Sequence, residues 1–186
     1  MLFSDKKKFI LNDPDGYAYY WHDLRHEKRH FFKRANGGES VMVWGGIDAS
    51  AVLPLVVVST RLDSEKYQAM LADSLEPYWQ PDYQFLQDNA PCHVSHSSIS
   101  WFDVHGFNLL RRPAASPDLN PIENLWGILT RDIKPDFRQF SSVAELRRAI
   151  VTAWSQLSAN TTSTLGRSMP KRIYDVIYNH GGITKY

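Results

Sequence analysis

The stretch VLPLVVVSTRLDSEKYQAMLADSL, residues 52–75, decides the fold class, because the spacing of its apolar residues changes partway along. Residues 52–59 are apolar and β-branched, continuous enough for a strand buried on both faces. Beyond them Tyr67, Met70, Leu71 and Leu75 recur at helical spacing, and Asp63 or Ser64 offers an N-cap. A strand followed directly by a helix predicts a sheet with helices packed on it.

Working outward, residues 2–11 and 17–21 carry strand-like aromatics on either side of the turn sequence NDPDG, which reads as a hairpin. VMVWGGI (41–47) is a further strand. Downstream, YQFLQD (83–88) and FNLLR (107–111) read as strands, with HVSHSSISWFDVH (93–105) as a helix between them. PIENLWGILTRDI (121–133) sets Ile122, Leu125, Trp126, Leu129 and Ile133 on one helical stripe. Ser142 and Glu145 form a capping box ahead of Leu146, Ile150, Trp154 and Leu157, and PKRIYDVIYNH (170–180) predicts a short terminal helix. Antiparallel strands followed by strand-helix alternation give a mixed sheet, an α/β or α+β domain.

The 186 residues suit one domain, and a 43% hydrophobic content can build its core. A net charge of +1 argues for no particular class of partner. The single cysteine, Cys92, excludes an internal disulfide and fits a reducing compartment. The longest apolar run, AVLPLVVV at 51–58, is far short of the roughly 20 residues of a membrane span. MLFSDKKKF at the N-terminus lacks the order of a signal peptide. The expectation is a soluble intracellular protein with no membrane partner.

Three carboxylates ask for an explanation. Glu123 sits three residues after Asn120, with Pro121 between. Asn120 suits an N-cap, Pro121 the first helical position, and the Glu123 carboxylate could reach back to the Asn120 N–H as in a capping box. On a helical wheel, however, Glu123 falls on the flank of the apolar stripe, beside Gly127, a residue that costs a helix interior about 1 kcal/mol and whose missing side chain leaves room near the carboxylate. Asp88 closes a strand just before NAPCH, where ligands gather in sheets with crossover helices, although Asp-Asn-Ala-Pro is also good turn chemistry. Asp5 shares a strand face with Phe3, Lys7, Phe9 and Leu11, so it needs a partner, either a lysine such as Lys7 or a cation. Carboxylates from two strands and a helix could converge on hard divalent cations, which prefer oxygen ligands.

The segments FSDKKKF, DGYAYYWHDLR, GGESVMVWGGI, LQDNAPCHVS and SPDLNPIENLWGIL strongly resemble the catalytic domain of mariner-like DDE transposases, in family order and nearly end to end. Between Asp88 and Glu123 lie 34 residues (123 − 88 − 1), the spacing of one large branch of that family. The resemblance implies an RNase H-like α/β fold: a mixed sheet of three antiparallel strands and two further strands, with helices on both faces. It implies that Asp5, Asp88 and Glu123 are catalytic and hold two Mg²⁺ ions, with Mn²⁺ an alternative. It further implies cleavage of double-stranded DNA at transposon ends, attack of the freed 3′ hydroxyl on target DNA, a nuclear location, and a homodimer as one assembly to test. The family usually has glutamate after the first aspartate, where this chain has Lys6. The whole of 1–186 would be a single catalytic domain, without the family's N-terminal helix-turn-helix region. Two alternatives stay open: an inactive transposon-derived remnant that binds DNA or oligomerises, and another RNase H-like nuclease.

Candidate DNA contacts are Arg111 and Arg112, which the resemblance places beside Glu123, and the basic run 25–34 with Arg25, Arg29, Lys33 and Arg34. A solvated loop explains that run equally well. Cys92 and His93 lack zinc-ligand spacing, so a packed cysteine and a histidine that supports Asp88 or faces a phosphate are expected.

Overall fold

The computed structural model describes residues 1–11, 39–110, 116–135, 140–182, 184 and 186. Among these residues four strands form one sheet in the order β3-β2-β1-β4. The long strand β1 (Leu2–Ile10) lies inside it, antiparallel to β2 (Ser40–Ile47) and parallel to β4 (Phe85–Leu86). β3 (Val56–Val58) closes the β2 edge. Seven helices follow the described chain: α1 (Ser64–Ser74), α2 (Pro91–Val94), α3 (His96–Val104), α4 (Ile122–Ile133), α5 (Val143–Ser155), α6 (Ala159–Arg167) and α7 (Met169–Tyr178).

Strand alternation divides the core between the two sheet faces. Phe3 and Phe9 of β1, with Val41, Val43 and Ile47 of β2, pack against Ile122, Leu125, Trp126 and Leu129 of α4 and Leu146, Ile150 and Trp154 of α5. Leu2 and Trp44 point the other way, into Tyr67, Met70 and Leu71 of α1, Phe85, and Phe102 of α3. Helices therefore cover both faces, as expected.

Several local expectations are corrected. The run 52–59 is not a strand buried on both faces: only Val56–Val58 pair, Val57 is 36% exposed, and Pro54, which has no N–H to donate, separates them from a lone bridge at Val52. Among the described residues β3 is an edge strand with one neighbour. FNLLR contributes a single parallel bridge, Leu109 to Phe85, instead of a strand. The helix expected over 93–105 is broken at Ser95, whose extended backbone and hydroxyl cap α3 by accepting from the Ser98 N–H. α6 was not expected, since its sequence ANTTSTLGR is threonine-rich. Ser158 starts it by accepting from the Thr161 N–H. Asp63 caps α1 as read, accepting from the Lys66 N–H at 2.9 Å. The proposed strand at 17–21, and with it the hairpin, lies outside the described residues.

Candidate active site

The parallel register of β1 and β4 pairs Leu2 with Phe85 and Phe3 with Leu86. The strand expected over 83–88 is reduced to these two residues, and Asp88 follows it by two, near enough for its charge to act on Asp5. The Ser4 hydroxyl donates to the Leu86 carbonyl at 3.2 Å, tying the strands just before that point. Glu123 stands in the first turn of α4, which packs on the Asp5 face of β1. The sheet and one helix thus bring the three acidic residues into one electrostatic neighbourhood.

Asp5 shows the strain of that arrangement. Burial, then the Glu123 charge, with a smaller push from Asp88, raise its carboxyl from 3.8 to about 7. Among the described residues its side-chain partner is neither Lys7 nor another cation but Trp126, whose indole N–H donates to Asp5 Oδ2 at 3.1 Å. Gly45, directly across the ladder from Asp5, makes that contact possible. A Cβ there would stand 2.6 Å from Trp154 Cη2 and 3.0 Å from Trp126 Cη2. Neither Trp126 nor Gly45 is singled out by sequence reasoning, because the tryptophan belongs to a core stripe and the glycine to an ordinary strand.

Asp88 is shifted the other way. Burial alone would raise it, but the hydrogen bond and charge of His93, the Ala90 N–H and the charge of Lys6 hold it at about 2. His93 Nδ1 is 2.5 Å from Asp88 Oδ1, and its ring stacks on Tyr67 at 4.1 Å. His93 is only 2% exposed, so of its two expected roles the structure supports Asp88 and offers a phosphate no accessible surface. Lys6 points away from Asp5, as alternation requires, toward Cys92 Sγ at 3.9 Å. Cys92 is packed in the core, as expected.

The start of α4 departs from the capping-box expectation. Asn120 does not cap the helix: its Nδ2 donates to the Ser4 carbonyl at 3.1 Å, and its backbone N–H is taken by Pro117 O at 2.9 Å. The Glu123 carboxylate is therefore not needed there and is exposed. Asn120 is fully buried and its Oδ1 has no hydrogen-bond partner among the described residues. The reason is tertiary: the asparagine is spent on joining α4 to the strand that carries Asp5. Among the described residues a Cβ at Gly127 would meet only Arg131 Nη1, at 3.9 Å.

Glu123 lines a cavity of about 620 Å³ together with Asp118, Asn124, Val176, Gly181 and Tyr186. Among the described residues, no three His, Cys, Asp or Glu side chains stand in the close grouping a metal ion requires. The donor chemistry nonetheless fits a hard cation: oxygen donors only, with one carboxylate whose negative charge is disfavoured by its neighbours. Arg25, Arg29, Lys33, Arg34, Arg111 and Arg112 lie outside the described residues. No helix among the described residues is long and apolar enough to cross a membrane.

Comparison with known proteins agrees with this fold. The family described as DDE superfamily endonuclease matches residues 1–147. The transposable element Tc3 transposase of Caenorhabditis elegans is 43% identical over 190 residues, covering all of this chain and 58% of the relative. The chain thus spans little more than half of that relative's length. A pre-cleavage Mos1 transpososome superposes with a TM-score of 0.84 at 17% identity, over 99% of this chain and 56% of that one. The mariner Mos1 paired-end complex with Mg gives 0.82 at 18% identity, over 99% and 56%. At such identities the likeness is one of fold, and the fold is the RNase H-like one of the Mos1 catalytic domain. The chain belongs to the DDE superfamily endonuclease family, as a catalytic domain of the mariner/Tc1-like transposase kind.

Proposed function

We propose that this chain cleaves phosphodiester bonds at transposon ends and joins the freed 3′ hydroxyls to target DNA, with Asp5, Asp88 and Glu123 as its catalytic carboxylates. The observation that carries the reading is the placement of Asp5, half-buried and held against α4 by the Trp126 indole N–H, within reach of the charges of Glu123 and Asp88. Three acids within electrostatic reach of one another, from β1, from two residues beyond β4 and from the start of α4, serve no packing purpose, and cations would relieve the cost of their mutual repulsion. The Mos1 complexes solved with Mn and with Mg support divalent metal, and two Mg²⁺ ions are the number proposed here. When bound, such ions activate a water and take up charge on the phosphate oxygens.

The chain's own residues divide the remaining work. Trp126 orients Asp5 by its indole N–H. His93 orients Asp88 and keeps it ionised. Asn120 fixes the start of α4 against β1, which sets where Glu123 can reach. In cleavage, water oxygen bonds to phosphorus as the 3′ oxygen leaves and takes a proton. In joining, that 3′ oxygen bonds to a target phosphorus and the target's own 3′ oxygen leaves, so bonds made and broken balance.

Residues 1–186 act as one catalytic domain in this reading. The substrate is double-stranded DNA, the compartment the nucleus, and the assembly to test a homodimer. Arg111, Arg112, Arg25, Arg29, Lys33 and Arg34 are the proposed phosphate contacts. A nicking and strand-transfer assay with Mg²⁺ or Mn²⁺ tests the reading: metal-dependent cleavage and joining support it. Cleavage without joining marks another RNase H-like nuclease, and DNA binding without cleavage marks an inactive remnant.

A further inference from the structure

Arg172 lies beyond the residues matched by the family, in α7, and is 1% exposed. Burying a guanidinium is costly unless its donors are met. Here each of the three nitrogens donates to one neutral acceptor. Nη1 donates to the Asp118 carbonyl at 2.6 Å, Nη2 to Asn124 Oδ1 at 2.8 Å, and Nε to Ser168 Oγ at 2.8 Å. The Tyr186 ring covers the guanidinium at 4.1 Å.

Two of these acceptors bracket Glu123 in the chain. Asp118 belongs to the 3-10 turn Pro117–Leu119 before α4, and Asn124 follows Glu123 directly. Among the described residues no side chain caps the start of α4. An uncapped first turn frays readily, yet this one must hold a functional carboxylate in place. Arg172 supplies from α7 the fixation that a cap normally gives, and Asn120 supplies the complementary tie to β1.

We propose that Arg172 is a positioning residue for Glu123, setting the site's affinity for divalent metal through its grip on Asn124 and the Asp118 carbonyl. This rests on the catalytic reading of Glu123 above. Lysine cannot replace it, since one ammonium cannot span three acceptors in the planar geometry of a guanidinium. Thr184 makes the contrast: its hydroxyl also ties the C-terminal segment to Asp118, through Oδ2 at 2.9 Å, but does not reach α4.

The test is a calorimetric titration of the full chain with Mn²⁺ alone, together with melting temperatures, for wild type, Arg172→Lys, Asn124→Ala, Thr184→Ala and Asp88→Asn. The expected result is an Mn²⁺ Kd raised about tenfold in Arg172→Lys and Asn124→Ala, with Thr184→Ala at the wild-type Kd even where its melting temperature falls. If Arg172→Lys does not fold, Asn124→Ala decides, because it removes only the bond to α4. Unchanged Mn²⁺ affinity in the folded Arg172 and Asn124 variants overturns the proposal. So does an equal loss in Thr184→Ala, which would make the effect one of general stability. A wild-type chain that binds no Mn²⁺, or binds it no better than Asp88→Asn, overturns the catalytic reading itself and this inference with it.

Discussion

The Trp126 indole N–H donates to Asp5 Oδ2 at 3.1 Å, so a core residue of α4 also holds a carboxylate of the candidate site. Trp126→Phe keeps most of the packing and removes the donor, and its expected cost is about 1 kcal/mol in urea unfolding. Gly45→Ala drives a methyl group into the Trp154 and Trp126 rings and is expected to cost about 1–3 kcal/mol. If both variants unfold at the wild-type urea concentration, the indole does not hold Asp5.

The raised Asp5 carboxyl gives stability a definite pH dependence. Its folded value is about 7 against 3.8 for the ordinary carboxyl, so the folded chain retains a proton that the unfolded chain gives up. Its contribution is fully present below pH 4 and is lost as pH rises toward 7, at most roughly 4 kcal/mol. Relative to Asp5→Asn, wild type should lose stability between pH 5 and 7.5, and Mg²⁺ at pH 7.5 should restore part of the loss. A difference that stays flat across that range, as read by urea unfolding, contradicts the geometry.

Asp88 has the opposite sign. Held at about 2, it contributes stability that is present above pH 4 and lost as pH falls toward 2. His93→Phe preserves the stacking on Tyr67 but removes the bond to Asp88. The expected result is metal affinity weakened roughly 10–100-fold and a smaller loss of stability on acidification. Wild-type metal affinity in this variant would remove His93 from the site.

How much of this was legible in the sequence depended on distance along the chain. The change of period after residue 59, the α4 stripe and the Asp63 cap are local signals, and they appear where read. The β3 edge and the reduced strand at Leu109 were not legible, because an apolar run looks alike in the middle and at the margin of a sheet. Asn120 misled for a related reason: local chemistry favoured a cap, and a carbonyl 116 residues away took its side chain instead. Trp126, Gly45 and Arg172 act only through the tertiary packing that brings α4, α7 and β1 together.

Gly127 separates helix stability from access. Its open surroundings mean that Gly127→Ala meets no clash and should stabilise the chain by about 1 kcal/mol. In the proposed function the same methyl group, one turn beyond Glu123, crowds the approach of DNA, so cleavage should slow as the melting temperature rises. Cleavage at the wild-type rate would show that the glycine leaves no room the substrate uses.

The most direct measurement is nicking of supercoiled plasmid by the purified chain in Mn²⁺, comparing wild type with Asp88→Asn. The account predicts metal-dependent nicking by wild type, abolished by chelation and absent in Asp88→Asn although that variant folds. Nicking that survives the substitution, or a folded wild-type chain that binds Mn²⁺ and DNA without cleaving, would contradict it.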